Sequence, residues 1–250
     1  MDKIKVLVNG CTGKMGKEVI DCISENSEFE VLCGFCQKEV QDFPFPVYRD
    51  INSIKLIPDV IIDFSVPVAT FSILDFAKEN KIPMVIATTG FSEEELSKIK
   101  EYAKYIPIFL SSNMSFDICL MQKVLATLAQ NLPNTDIEIV ETHHNRKIDS
   151  PSGTALMLAD SINQACENKY TYNFSRLQER KPRETNEIGF SSIRGGNIVG
   201  EHTVKFMGAD ETFEITHTCY SRKVFANGAL KAAKFLVTQK NGFYNMNDLL

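Results

Sequence analysis

The feature that most restricts what this chain can become is the alternation of short apolar runs with amphipathic helical stretches over its first 110 residues. Ile4-Lys5-Val6-Leu7-Val8, Phe29 to Phe35, Val60 to Phe64, Met84 to Ala87 and Ile108 to Leu110 read as strands. Between them, Lys14 to Ser24 places Met15, Val19, Ile20 and Ile23 on one helical stripe, and Ala69 to Glu79 continues as a helix behind Pro67. Ser92-x-x-Glu95 forms a capping box that opens a third helix, running to about Tyr105. Strands this apolar must be covered on both faces, and helices in alternation supply the cover. The expected result is an α/β, doubly wound parallel sheet.

The style changes near residues 112–116. Asp117 to Leu128 reads as a helix, Ile137 to Val140 as a strand and Thr154 to Ala165 as a helix. Residues 166–187 are polar and rich in Arg, Lys and Asn, and predict a long loop. Ile198 to Phe206 and Glu211 to Cys219 are strand-like around the turn Gly208-Ala209-Asp210, and the alternation in 211–219 predicts an antiparallel hairpin with one wet face. Phe225 to Val237 closes the chain as a helix.

Composition removes several function classes. At 250 residues the core needs neither disulfide nor metal. A formal net charge of −5, with no basic tail, argues against nucleic acid as a partner. No apolar run approaches the ~20 residues of a membrane span. MDKIKVLVNG shows no signal-peptide apolar region. Seven cysteines at irregular spacing predict reduced thiols and a cytoplasmic enzyme. Cys33-Gly34-Phe35-Cys36 is a CxxC, but it ends a strand instead of opening a helix, so buried structural thiols are expected.

Directly after the first strand comes Asn9-Gly10-Cys11-Thr12-Gly13-Lys14-Met15-Gly16. A GxxGxxG turn between strand and helix allows close approach of a pyrophosphate, and the helix start offers free N–H groups and a partial positive charge. It lacks the GK[ST] ending of a triphosphate loop. The second strand is followed by Gln37-Lys38, where an acidic ribose contact is usual and the first acid is Glu39; Lys38 suits a ribose phosphate, which leans toward NADPH or use of both cofactors. Two further loops, Ala87-Thr88-Thr89-Gly90-Phe91 and Ser111-Ser112-Asn113-Met114, follow strand ends that should face a nicotinamide and its ribose.

The densest polar constellation is Glu141 to Ala155. His143 and His144 stand at a strand end, Arg146 and Lys147 follow, and Pro151 precedes Ser152-Gly153-Thr154 at a helix start. A histidine supplies acid–base chemistry, while a lysine and a helix start supply an anion nest. Together they read as a site for a dianionic small molecule with proton transfer. Glu141 shares the face of His143, but adjacent histidines alternate faces and a third ligand is wanting, so no metal site is expected. Ser152 lacks a nucleophile elbow, and Cys119 sits in an apolar helix pattern.

The run E-x-H-H-x-x-K-x-D-x-P-S-G-T-A resembles the motif of the dihydrodipicolinate reductase (hydroxy-tetrahydrodipicolinate reductase) family. The likeness extends through the glycine turn, Asp63 to Pro67, Thr88 to Phe91, Asn113, Gly189 to His202 and Arg222 to Leu230. The resemblance implies NADPH or NADH as cofactor and a cyclic dicarboxylate reduced in lysine and diaminopimelate biosynthesis. His143 would be the proton donor and Lys147 its charged partner, while His144, Lys147, Ser152, Gly153 and Thr154 would hold the carboxylates. Cofactor contacts would come from Gly10 to Gly16, Lys38, Ala87, Thr88, Thr89, Ser112, Asn113 and Met114, with domain closure excluding water. Cys11, Ala87 and Met114 depart from residues common at their positions. The layout implied is a dinucleotide-binding (Rossmann) domain at 1–115 and 222–250. A substrate-binding and oligomerisation domain at 116–221 would be α+β, with a mostly antiparallel open sheet, in a homotetramer. The alternatives are a non-catalytic NAD(P)-binding regulatory module and another two-domain amino-acid or semialdehyde dehydrogenase. The first should have lost the histidine or the lysine, and the second lacks the paired-histidine, lysine and PSGTA run.

Overall fold

The computed structural model describes residues 2–37, 42–177 and 180–250. Along the chain run β1 (Ile4–Asn9), α1 (Lys14–Ser24), β2 (Phe29–Phe35), β3 (Val47–Tyr48), β4 (Val60–Asp63), α2 (Pro67–Asn80), β5 (Met84–Ile86), α3 (Glu93–Tyr102) and β6 (Pro107–Leu110). Next come α4 (Phe116–Asn131), β7 (Asp136–His143), α5 (Gly153–Ala165), β8 (Thr171–Asn173), β9 (Glu187–Arg194), β10 (Gly200–Met207) and β11 (Thr212–Cys219). The chain ends with α6 (Lys223–Leu236) and β12 (Gly242–Tyr244). Two compact units result, Met1–Ser115 with Arg222–Leu250, and Phe116–Ser221.

In the first unit, described strands form one sheet in the order β12-β6-β5-β4-β1-β2-β3, every pairing parallel. Val6, Leu7, Val8, Val60, Ile61 and Ile62 are wholly buried, as strands covered on both faces must be. The helix α1 buries Gly16, Val19, Cys22 and Ile23. The Ser92 box closes in both directions: Glu95 N donates to Ser92 Oγ at 3.2 Å, and Ser92 N donates to Glu95 Oε2 at 2.8 Å. Such a cap is worth about 1 kcal/mol. Small residues on α6 (Ala226, Gly228, Ala229, Ala232, Ala233) let it lie close against α1 and β4–β6. A Cβ at Gly228 would collide with the Met114 carbonyl.

The second unit carries a sheet in the order β11-β10-β7-β9-β8, with α4 and α5 packed together. Its core joins Ile118, Met121 and Leu125 of α4 and Leu158 and Ile162 of α5 to Ile137, Ile139, Ile188, Phe190, Val204 and Phe206 of the sheet. The expected antiparallel character holds for β11/β10 and β10/β7, but β7/β9 and β9/β8 are parallel, so the sheet is mixed. The reason is the connection: α5 lies between β7 and the strands that follow, and a helical crossover returns the chain to start in the same direction. The loop expected over 166–187 contains β8, and its last residue, Glu187, begins β9. Three-residue strands such as β8 and β12, and the two-residue β3, are too short for periodicity to reveal.

Candidate active site

In the first unit the strand ends are level. Asn9 pairs in register with Phe35 and Asp63, Asp63 with Ile86, and Ile86 with Leu110. The loops that follow therefore leave from one edge of the sheet. Strand order reverses between β1 and β4, and in open parallel sheets that switch point is where ligands bind. A cavity of about 280 Å³ lies there, lined among others by Gly10, Thr12, Gly13, Cys36, Phe64 and Ser65. Gly10 has φ +79°, and a Cβ on it would sit 2.5 Å from the Phe64 carbonyl oxygen. A Cβ on Gly16 would strike the Gly10 carbonyl. Gly13 caps α1 with no side-chain hydrogen bond, which leaves the helix start to a ligand. A cradle of glycines and an uncapped helix start fit the pyrophosphate of a dinucleotide.

The loops are tied together by Asp63, which is fully buried. Its carboxyl accepts from Asn9 Nδ2 at 2.8 Å, Ser65 Oγ at 2.5 Å, Thr70 Oγ1 at 2.6 Å and Thr88 Oγ1 at 3.0 Å. Burial pushes this carboxyl up, and the four donors oppose the shift. Ser65 N also donates to Thr88 Oγ1 at 2.8 Å.

The second unit builds its polar site by extending its core. Along β7 every second residue from Ile137 is buried: Ile137, Ile139, Glu141 and His143. Cross-strand rows follow from register. Phe206, Ile137 and Ile188 form one, and Val204, Ile139 and Phe190 the next. Then come His202, Glu141 and Ser192, and finally His143 beside Arg194. A single sheet face thus passes from two apolar rows to two polar ones. Glu141 Oε2 lies 2.5 Å from His143 Nδ1 and accepts from Arg194 Nη1 at 2.8 Å. Glu141 Oε1 accepts from Arg194 Nη2 at 2.7 Å and from Ser152 N at 3.2 Å. Ser152 caps α5, its Oγ accepting from Ala155 N at 3.1 Å and lying 2.9 Å from His202 Nε2. The helix start is therefore docked onto the polar rows.

Burial alone would raise the Glu141 carboxyl, but hydrogen bonds from Arg194, Ser192 and His143 bring it down to about 2. His143 lies below its ordinary value because burial outweighs the opposing effect of Glu141, with Lys147 and Arg194 adding to the fall. His202, packed edge-on against His143 at 5.1 Å between centroids, is lowered to about 3 by burial and then by His143. Lys147 pairs with Asp149 at 2.9 Å. Burial would raise Asp149, yet Lys147 and the backbone N–H groups of Asp149 and Gly153 hold it below the usual carboxylate value.

Gly200 supplies the floor of the site. A Cβ there would meet His143 Nε2 at 3.0 Å. Gly200→Ala is expected to lower kcat by about tenfold through displacement of the ring, since misplacing a reacting group by a fraction of an ångström to 1 Å costs up to ~100-fold. The melting temperature should stay within about 2–4 °C of the parent, the span of a ~1 kcal/mol change in a chain of this size. Steady-state kinetics beside a thermal melt check this, and an unchanged kcat would contradict the floor role.

The expected site residues separate into those placed at an open surface and those turned inward. Gly153 and Gly90 are open, with nothing within 4 Å of an added Cβ. Thr12, Gly13, Lys14 and Met15 line the turn with partial or full exposure. Thr88 is 4% exposed and committed to Asp63, so it positions the loop. Ser152 is 1% exposed, and its polar groups face Glu141, His202 and Ala155. Met114 is buried against α6, and Ala87 is buried beside β4, where its N–H donates to the Asp63 carbonyl. Asn113 Oδ1 accepts from Ser115 N at 2.8 Å, which shapes the loop that also carries Ser112. His144 N donates to the Ile198 carbonyl at 2.8 Å, and its ring stays apart from the Glu141 network. Lys38 lies outside the described residues. Cys11 is buried, its thiol pushed up to about 12 by burial and by neighbouring Cys36; burial raises Cys33 to about 11, the reverse of a redox dithiol. Arg194, Ser192 and His202 were not singled out by sequence reasoning. Their signal is the two-residue period of β9 and β10, visible once those strands pair with β7.

Comparison with known proteins gives a consistent result. Residues 4–114 match the family described as dihydrodipicolinate reductase, N-terminus, and residues 117–250 match dihydrodipicolinate reductase, C-terminus. A protein of Caldanaerobacter subterraneus subsp. tengcongensis named 4-hydroxy-tetrahydrodipicolinate reductase is 50% identical over 247 residues, covering 99% of this chain and 98% of that one. One of the same name from Clostridium novyi is 43% identical over 247 residues, covering 98% of each. Among solved structures, the dipicolinate-bound dihydrodipicolinate reductase of Paenisporosarcina sp. TG-14 superposes with a TM-score of 0.84 at 25% identity, covering 100% of both chains.

Proposed function

The chain belongs to the dihydrodipicolinate reductase family, and on that footing we propose which of its residues carry each part of the reaction. It is an NAD(P)H-dependent oxidoreductase that reduces 4-hydroxy-tetrahydrodipicolinate to tetrahydrodipicolinate, a step of lysine and diaminopimelate biosynthesis. Its substrate is a small dicarboxylate. Among the described residues no helix is long and apolar enough to cross a membrane.

The observation that carries the assignment of residues is the polar end of the second sheet, where His143, Lys147 and the start of α5 follow one another within a dozen residues of chain. His143 delivers a proton to the ring carbon next to the one reduced. Lys147 and the first backbone N–H groups of α5, at Gly153 and Thr154, hold a carboxylate. Asp149 pairs with Lys147 and accepts from the Gly153 N–H. Its side chain is 59% exposed, so it returns to water at little cost when a substrate carboxylate takes its place. Ser152 acts from behind, fixing the helix start, and His144 lines the approach. Reduced nicotinamide, once bound, supplies the hydride. Gly10, Thr12, Gly13 and the start of α1 hold the pyrophosphate, and Thr89, Ser112 and Asn113 face the nicotinamide half. The second unit is the substrate-binding and oligomerisation domain of a cytoplasmic homotetramer.

A coupled assay tests the reading. Pyruvate and aspartate semialdehyde are condensed by the preceding synthase, and loss of reduced-nicotinamide absorbance is followed with NADH and with NADPH. Turnover is the expected outcome, and the ratio of the two kcat/KM values gives the preference. Folded protein that binds a cofactor yet shows no turnover with either would overturn the reading in favour of a regulatory module.

A further inference from the structure

We propose that Glu141, clamped by Arg194, is the positioning residue for His143: it keeps the imidazole hydrogen on Nδ1 and leaves Nε2 as the nitrogen that takes up and delivers the proton. This deepens the reading of His143 as proton donor and rests on it.

Each oxygen of the carboxylate takes two partners, with the Ser192 side chain a further donor. Oε1 takes Arg194 Nη2 and Ser152 N, while Oε2 takes Arg194 Nη1 and His143 Nδ1. An ionised carboxylate accepts and cannot donate. The hydrogen in the Glu141–His143 contact therefore belongs to Nδ1. The fork of Arg194 meets both oxygens at once, which fixes the carboxylate plane as well as its charge. Nε2 is then the free nitrogen, and it lies against Gly200, where there is no side chain to cover it.

Among the described residues, four charged or titratable groups face the ring: Glu141 on the same strand, Arg194 from β9, His202 from β10, and Lys147 beyond the strand end. Glu141 is the one anion of the four. His202 stays neutral across the working range because burial lowers it to about 3. Without Glu141, a buried imidazole would face two cations, and its protonated form would be expelled to lower pH. With it, the carboxylate offsets part of the fall that burial and the two cations impose on the imidazolium. The donor is the protonated ring, so kcat/KM is full below the His143 midpoint and falls as pH rises through it.

The test reads the imidazole directly and needs no substrate. Nitrogen-15 NMR of the full chain should show His143 as the Nδ1–H tautomer, with a titration midpoint that falls in Glu141→Gln. Loss of one to two units of pKa lowers the protonated fraction about 10–100-fold well above the midpoint, so kcat/KM at pH 7.5 should fall about 10–100-fold. The midpoint of the pH profile should move down with the NMR midpoint. Glu141→Gln strands the Arg194 charge, so Glu141→Gln/Arg194→Gln is made beside it. A merely structural role predicts recovery of turnover in the double variant, whereas positioning predicts that the midpoint stays low. An Nε2–H tautomer in the parent, or an unmoved midpoint in either variant, overturns the proposal. If the single variant fails to fold, the double carries the same readout. Absence of turnover by the parent is a separate failure, that of the reading of His143 as donor.

Discussion

Replacing Lys147 by alanine should lower kcat/KM for the dicarboxylate by about 1,000-fold, with cofactor affinity unchanged within about twofold. The magnitude combines two losses. A hydrogen bond to a charged group contributes about 1.5–3 kcal/mol to substrate binding. Removing a preorganised group that stabilises developing charge costs about 10²–10³ in rate. Lys147 lies in the second unit, whereas the glycine turn lies in the first, and each unit has its own core. The substitution leaves Asp149 unpaired, but that carboxylate is more than half exposed and solvation compensates it. Steady-state kinetics with fluorescence titration of NADH and NADPH decide the matter. An equal loss of cofactor affinity would show that the two sites are not divided between the two units.

His143→Gln is the second large effect. General acid catalysis by a positioned side chain is worth roughly 10²–10⁴, and kcat should fall by that factor. Glutamine keeps a polar side chain of similar reach, so KM for the dicarboxylate should change by less than about threefold, the pattern of a group whose interaction is made in the transition state. The descending limb of the pH profile should vanish with the ring. A variant with unchanged kcat would take the donor role away from His143 and leave Lys147 or a water to be tested next.

The two results separate binding from chemistry within one short stretch of chain. Lys147→Ala is expected to lose both, if its charge serves substrate and transition state alike. His143→Gln is expected to lose mainly rate. Gly200 has no side chain to reach a ligand, and it acts through the space it leaves beside His143 Nε2.

Much of the fold was legible because its signals are local. The parallel strands of the first unit are continuous apolar runs, the Ser92 box closes as its spacing demands, and α1 covers Lys14–Ser24 as its stripe indicates. In the second unit the reading was weaker. Residues 187–194 carry both Glu187 and Arg194 and alternate poorly, so β9 does not stand out from the polar segment before it. The mixed character of that sheet depends on which strands α5 separates, and strand direction leaves no mark on composition.

The chemical site shows the same boundary. Sequence alone determined which residue types were present and in what order: a glycine turn on a strand end, paired histidines, a lysine, and a Ser-Gly-Thr helix start. These are short-range patterns, and each has a physical reason to recur at that spacing. Tertiary structure alone decided which of these groups meet. Pairing of β7 with β9 and β10 brought Arg194, Ser192 and His202 to Glu141, across 50 or more residues of chain. Burial placed Ser152, Thr88 and Met114 inward, with little of their surface open. Whether a side chain faces ligand or core depends on what packs against it, and packing is set by partners that are distant in sequence.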